Sequence, residues 1–177
     1  MRTISAGTAS LLVIDIQPRL MRAIEGAEAV IANAKRLIDA AQLFGVPVLF
    51  TEQNASALGP TAGTLAPPAG AVLPKMCFDA CRAEGFAAKL GGRPDVAVTG
   101  CEAHVCVLQT VLSLLDAGRR VFVVRDAIGS RRAESKEAAI RRMERHGAEI
   151  VTAEMVIFEW LGTAEHPRFK EAAALVK

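Results

Sequence analysis

The apolar residues of this chain fall into short continuous runs that alternate with longer stretches of helical periodicity. Each run ends abruptly at Gly, Pro or a polar residue, which is typical of strands buried on both faces of a sheet. The pattern predicts six strands, at residues 10–16, 46–52, 71–75, 95–100, 121–127 and 148–152.

Helical periodicity fills most of the segments between these runs. We predict one helix that begins near Pro18 and ends before Gly45, and another that runs from Cys106 to Gly118. Further helices are predicted at residues 86–90, at 133–146 and in two pieces near the C-terminus. The segment 53–70 is rich in Gly, Pro, Ser and Thr and is predicted to be a long loop, a kind of segment that is often functional.

Strands that alternate with helices indicate an α/β fold. We expect a three-layer αβα, Rossmann-like domain that spans residues 1–177, with a six-stranded, mostly parallel sheet. Active crevices of such sheets lie at the carboxyl ends of the strands. No G-x-G-x-x-G follows the first strand, so the fingerprint of a dinucleotide-binding protein is missing.

Composition and charge narrow the functional class. No apolar run approaches the roughly 20 residues of a membrane helix, and the N-terminus does not resemble a signal peptide, so we expect a cytoplasmic protein without a membrane partner. A net charge of +2, one Trp and no Tyr argue against a nucleic-acid partner. A cluster of arginines at helical spacing is interpreted as a solvated helix face: Arg131, Arg132, Arg141, Arg142 and Arg145.

Four cysteines are too few for a disulfide scaffold, and we expect them to be reduced. The pairs Cys77/Cys81 and Cys101/Cys106 have C-x3-C and C-x4-C spacing, whereas zinc sites use tighter pairs such as C-x2-C. We therefore expect no metal and no cofactor.

Three reactive groups fall at the carboxyl ends of predicted strands. Asp15 ends the first strand, Lys75 ends the third, and Cys106 opens the helix after the fourth. Each has a structural alternative: a helix cap, a surface lysine and a small buried residue, respectively. Together they form a plausible nucleophile set, because a helix N-terminus and an ammonium favour the thiolate and a carboxylate can take its proton.

The sequence around these groups resembles the isochorismatase-like cysteine hydrolases. The resemblance is carried by DIQ at 15–17, PK at 74–75 and G-x-E-A-H-V-C at 100–106, and spans nearly the whole chain. Further stretches, including KMCF at 75–78 and AEHPRFKE at 164–171, are similar to the isochorismatase-domain-containing subgroup. The resemblance implies the isochorismatase-like hydrolase fold and a catalytic triad of Asp15, Lys75 and Cys106.

The resemblance also implies a cis peptide bond between Cys101 and Glu102. The backbone N–H groups of Glu102 and Cys106 are then expected to form an oxyanion hole. Gln17, Phe78 and His104 are candidate substrate-binding residues, although Phe78 could equally lie in the core, and His104 could instead be a general base. Cys101 is interpreted as a buried structural thiol.

The chain departs from the nicotinamidases of this superfamily in one region. Those enzymes bind a metal through an Asp-x-His pair and a later histidine, but residues 53–70 contain neither His nor Asp. We therefore do not expect nicotinamide to be a substrate. True isochorismatases cleave a vinyl ether without a cysteine nucleophile, so Cys106 favours thiol chemistry.

We therefore expect a cysteine-dependent hydrolase that cleaves an amide or related C–N bond of a small molecule through a thioester. Two alternatives remain: an inactive oligomeric binding protein with the same fold, and ether hydrolysis of the isochorismatase type. A homo-oligomer, dimer or tetramer, is expected, with Trp160, Leu161 and Phe169 on the C-terminal helices as candidate contact residues.

Overall fold

A single six-stranded sheet forms the centre of the structure. The computed structural model describes residues 3–177. All neighbouring strands are parallel, in the order β3-β2-β1-β4-β5-β6, which confirms the predicted α/β architecture. The strands are β1 (Ala9–Ile14), β2 (Val48–Gln53), β3 (Val72–Lys75), β4 (Asp95–Cys101), β5 (Arg120–Gly129) and β6 (Glu149–Val151).

Helices connect the strands and cover both faces of the sheet. They are α1 (Pro18–Met21), α2 (Ala27–Phe44), α3 (Ala55–Leu58), α4 (Phe86–Leu90), α5 (Leu108–Asp116), α6 (Ala133–Arg145), α7 (Ala153–Leu161) and α8 (Phe169–Leu175). Within residues 3–177, no helix combines the length and the apolar character that crossing a bilayer requires.

The sheet separates two apolar layers because successive side chains of a strand point to opposite faces. Leu11 and Val13 of β1 pack with α2, α7 and α8, whereas Leu12 and Ile14 pack with α4, α5 and α6. All six residues of β1 are buried, as the continuous apolar run predicts for a central parallel strand.

Three local predictions differ from the structure. The helix predicted from Pro18 onward is split into α1 and α2, because Gly26 lies in the left-handed region at φ 68° and begins a new helix. The predicted loop at 53–70 contains α3 and a short 3-10 turn, Gly63–Leu65. The helix predicted from Cys106 begins as a π-helical turn, Ala103–Val107, that leads into α5.

The C-terminal helices do not present the apolar residues that we expected. Trp160 and Leu161 are buried in the core and Phe169 packs against it, because that face of α7 and α8 covers α2. Trp160 and Leu161 are therefore unavailable as contact residues, whereas Phe169 remains partly exposed. The exposed large apolar residues of α7 are Met155 and Phe158.

The order in which the chain adds strands to the sheet changes direction between β1 and β4. The chain moves outward from β1 to β3 and then returns to pair β4 with the other side of β1. The loops after β1 and β4 consequently leave the sheet toward opposite faces and open a crevice between them, where ligands bind in folds of this kind.

Gly100 at the end of β4 permits the close approach of β1 in this crevice. Its φ is 125°, and a Cβ atom there would lie 1.9 Å from the carbonyl oxygen of Ile14. No flexible side chain could absorb that overlap, so β1 and β4 would have to separate.

We predict that Gly100→Ala lowers the free energy of unfolding by about 3 kcal/mol or more, measured by urea denaturation, because the added atom meets backbone in a strained conformation. Gly92→Ala is the matched control, since nothing lies within 4 Å of its added Cβ. Similar stabilities of the two variants would contradict this account of Gly100.

Candidate active site

Asp15 is held rigidly at the carboxyl end of β1. It has a positive φ of 50°, and its N–H donates to the carbonyl oxygen of Thr51 at 3.1 Å. The side chain is fully buried, and the Thr51 hydroxyl donates to its Oδ1 at 2.6 Å. The strand end therefore points a carboxylate of fixed orientation into the crevice.

Lys75 reaches the same carboxylate from the end of β3. Its Nζ donates to Oδ2 of Asp15 at 2.7 Å, and the side chains of both residues are completely inaccessible to solvent. Nζ also donates to Oε1 of Gln53 at 2.8 Å and to the carbonyl oxygen of Cys77 at 3.2 Å. The ammonium thus has an acceptor for each of its three protons.

This buried ion pair is the strongest electrostatic feature of the site. Removing two charges from water is costly, and mutual attraction offsets that cost only when the remaining hydrogen-bonding positions are also filled. Thr51 and Gln53 supply those bonds from β2, the strand that lies between β1 and β3. Sequence reasoning missed both residues, although each is a polar residue near the end of a buried strand.

Cys106 lies in the π-helical turn after β4 and is buried, with 6% of its surface exposed. Burial and, next, the negative charge of Asp15 raise the pKa of its thiol, which Lys75 partly lowers, and the pKa is about 12 as a result. The two charged neighbours of the thiol are therefore those predicted from the strand ends.

The protonation state of Cys106 differs from the expected one. We expected a thiolate stabilised by the ammonium and the helix N-terminus, but a thiol with a pKa of about 12 is protonated at neutral pH. The physical reason is that the Lys75 charge already faces a carboxylate 2.7 Å away, so that it cannot compensate for the burial of a second anion.

Cys101 is fully buried at the end of β4. Burial also raises the pKa of its thiol to about 12. Its sulfur packs beneath β5, where it would lie 3.2 Å from a Cβ added at Gly129.

The backbone between the two cysteines is unusual. The Cys101–Glu102 peptide bond is cis. Within residues 3–177, the Glu102 N–H has no protein acceptor, whereas the Glu102 carbonyl oxygen accepts from the N–H groups of Val105 and Val107. The Glu102 carboxylate accepts from the backbone N–H of Arg131 at 3.0 Å and from its Nε at 3.1 Å.

Gln17 does not have the predicted position of a substrate-binding residue. It is fully buried, and its Nε2 donates to the carbonyl oxygens of Gln53 and Gly59, at 3.1 and 2.6 Å. Its Oε1 accepts from the Gln53 N–H at 2.8 Å. The side-chain amide of Gln17 thus bonds to the end of β2 and to the loop that follows it, and Gln17 is a positioning residue for that loop.

Phe78 and His104 lie at the surface of the site. Phe78 is 52% exposed, which corrects the alternative that it belongs to the core, and the neighbouring Met76 is 70% exposed. His104 is half-buried, and its Nδ1 lies 3.0 Å from the Ser130 hydroxyl. Within residues 3–177, Ser130 is the one hydrogen-bonding partner of the His104 side chain.

Two cavities border this region. One, of about 270 Å³, is lined by residues 54–56 and 74–76, including Lys75. The other, of about 340 Å³, is lined by His104, Arg131, Arg132 and Ser135. Arg131 and Arg132 precede α6 and are exposed, which corrects their assignment to a solvated helix face.

No metal cluster is apparent in the part of the chain that the structure describes. Among residues 3–177, no three His, Cys, Asp or Glu side chains are grouped so that they could hold one ion.

Comparison with known proteins gives consistent matches over most of the chain. Residues 9–155 match the model of the isochorismatase domain. Human isochorismatase domain-containing protein 2 is 37% identical over 174 residues, covering 97% of this chain and 84% of the human protein.

Solved structures show the same arrangement of elements. A structure described as MAR1 ribonuclease from Caenorhabditis elegans is 35% identical, has a TM-score of 0.94, and covers 98% of this chain and 92% of its own. The Escherichia coli YcaC product, described as an octameric hydrolase of unknown specificity, has a TM-score of 0.93 at 24% identity, covering 99% of this chain and 89% of its own. At 24% identity, the similarity to the E. coli protein shows a shared fold and nothing more.

We predict that Asp15→Asn and Lys75→Met each lower the free energy of unfolding by about 3–5 kcal/mol, because each leaves one buried charge unpaired. The double variant should recover most of that loss. Chemical denaturation of the four proteins checks this, and additive losses in the double variant would contradict the buried pair.

Alkylation tests the protonation of Cys106. Because its thiol has a pKa of about 12, we predict that its rate of reaction with iodoacetamide rises steadily between about pH 7 and 10. Peptide mass spectrometry separates Cys106 from the other cysteines. A plateau with a midpoint below about pH 8 would show a resting thiolate instead.

Proposed function

The chain belongs to the isochorismatase domain family, and we propose that it is a cysteine-dependent hydrolase that cleaves an amide or related C–N bond of a small molecule. The observation that carries the proposal is the convergence of Asp15, Lys75 and Cys106, in which the thiol is buried beside an ion pair.

The first step transfers the thiol proton to Asp15 as the sulfur attacks the substrate carbonyl. The carboxylate has about four acceptor positions, and the bonds from Thr51 and Lys75 leave room for this proton. A C–S bond forms and the carbonyl oxygen becomes an oxyanion. The proton leaves the thiol only when substrate is present, which is consistent with a thiol that is protonated at rest.

The oxyanion is stabilised by backbone N–H groups in this proposal. Glu102 supports the assignment, because its N–H has no acceptor within residues 3–177. The Cys106 N–H is the second donor, as the family resemblance implies. Each donor typically contributes about 3 kcal/mol to the transition state.

The C–N bond then breaks, and Asp15 gives its proton to the departing amine. Water attacks the resulting thioester, Asp15 accepts a proton from that water, and the same proton returns to the sulfur as the acid product leaves. Lys75 remains charged throughout and balances Asp15 whenever the carboxylate is ionised. The steps consume one water and regenerate the resting thiol.

The remaining parts of the proposal concern partners. We propose a small-molecule substrate that enters past Met76 and Phe78, which are exposed and follow Lys75 directly in the chain. We also propose self-association, which the exposed apolar residues Met155 and Phe158 of α7 support. The ribonuclease description belongs to the C. elegans protein, and RNA serves here as a comparison substrate.

A substrate screen tests the proposal. Small amides, carbamoyl compounds, isochorismate and an RNA oligonucleotide are incubated with the wild type, and we expect turnover of a member of the first two classes. Cys106→Ala should lower kcat by about a thousand-fold or more, because the nucleophile is lost. Rapid quenching and intact mass measurement should detect the acyl group on Cys106.

Cys81→Ala is the control, since this thiol lies outside the triad. Isochorismate cleavage that survives Cys106→Ala would favour ether hydrolysis, and RNA cleavage would replace the small-molecule assignment. Full amide turnover by Cys106→Ala would sink the proposed mechanism.

A further inference from the structure

Lys136 differs from the other lysines of residues 3–177 in having neither a polar partner nor full exposure to solvent. Its side chain is half-buried, and within the described residues it makes no hydrogen bond or ion pair. The other lysines either have a polar partner or are exposed: Lys35, Lys75 and Lys89 in the first group, Lys170 and Lys177 in the second.

Lys136 lies on the face of α6 that covers the sheet. Ala139, Ile140 and Met143 are buried on this face, and Lys136 precedes them at helical spacing, so its side chain starts from the same side of the helix. This side of α6 contacts β5 and β6. Lys136 is also in the first turn of α6, where the partial positive charge of the helix N-terminus disfavours a cation.

The charged groups around Lys136 do not compensate for this position. Glu137 pairs with Arg125 of β5 at 3.7 Å, and Oδ1 of Asp126 accepts from the first backbone N–H of α7 at 2.9 Å. Burial is the largest cause that lowers the pKa of the Lys136 ammonium, and Arg125 lowers this pKa as well. Glu137, Asp126 and the Cys101 thiol raise the same pKa without offsetting the burial.

We propose that Lys136 is a site of N-acylation by acyl thioesters. The nucleophile in this reaction is a neutral amine, and an ammonium that is half-buried and unpaired gives up its proton more readily than an exposed one. The nitrogen attacks the thioester carbonyl, a C–N bond forms, the C–S bond breaks, and the sulfur leaves as a thiolate. The amine proton passes to solvent, so the step needs no further reactant.

Acylation removes a charge that the surroundings of Lys136 disfavour. The product is a neutral amide, which has no charge to desolvate and does not oppose the helix N-terminus. Ser135, the preceding residue, lines the cavity of about 340 Å³ that His104 also borders. The modification therefore lowers the positive charge of the helix turn beside this cavity, and it does not depend on the proposed hydrolase activity.

Limited acylation of the folded protein tests the proposal. The probe is S,N-diacetylcysteamine, a small acyl thioester, and peptide mass spectrometry measures the acetylation rate of each lysine. Lys170 is the matched control, because it is exposed and also lies in the first turn of a helix, α8. At about pH 8 we expect Lys136 to react at least about three-fold faster than Lys170. The ratio should fall toward about pH 10.5, where both amines are largely neutral and the exposed one is more accessible.

Charge variants separate ionisation from accessibility. Arg125→Gln removes the neighbouring cation and frees Glu137 to interact with Lys136, so the Lys136 rate should fall about two-fold. Glu137→Gln removes the nearest anion and should raise the rate by a similar factor, about two-fold. Arg142→Gln, an exposed position near the other end of α6, is the control and should leave the rate unchanged.

A Lys136 rate at or below that of Lys170 at about pH 8 would overturn the proposal, as would equal rates in the wild type and the Arg125 and Glu137 variants. Cys106→Ala gives a further comparison. The Lys136 rate should be the same in this variant as in the wild type, whatever the outcome of the substrate screen. If Lys136 acetylation is lost in Cys106→Ala, the acyl group arrives from the nucleophilic cysteine, and the direct reaction with thioesters is wrong.

Discussion

The buried ion pair between Asp15 and Lys75 is the constraint on which the site depends. The two residues lie at the ends of β1 and β3, which are separated by β2, so the lysine side chain extends across an intervening strand. Thr51 and Gln53 on that strand bond to the two charges. The relative positions of three strand ends are thus coupled to one electrostatic contact, and Cys106 is buried against it.

Much of the architecture could be predicted from local sequence. Every predicted strand exists, because a short apolar run between polar boundaries has few other stable environments than a central parallel sheet. Asp15 and Lys75 were identifiable because charged residues that end such runs must find a partner or water. Gly26 was missed as a helix boundary, since a lone glycine within an amphipathic pattern is tolerated in many helices.

The remaining features depend on contacts between distant parts of the chain. The side-chain amide of Gln17 donates to the backbone carbonyl oxygens of Gln53 and Gly59, and nothing in the local sequence indicates that those groups lie nearby. The same holds for Arg131, whose contact with Glu102 crosses from the β5 end to the β4 end. The pKa of Cys106 depends on how deeply its thiol is buried and on the opposite charges of Asp15 and Lys75. The sequence identifies the two charged residues but not the depth of burial of the thiol.

A neutral resting sulfur has a consequence for survival of the protein under oxidative stress. Peroxide attacks thiolates and converts them stepwise to sulfenic and higher acids, with a preference for exposed, acidic cysteines. Cys106 is neither exposed nor acidic. In the proposed mechanism, Cys106 loses its proton only when substrate is bound, so we expect the unliganded protein to resist the oxidation that inactivates enzymes with a permanently ionised sulfur.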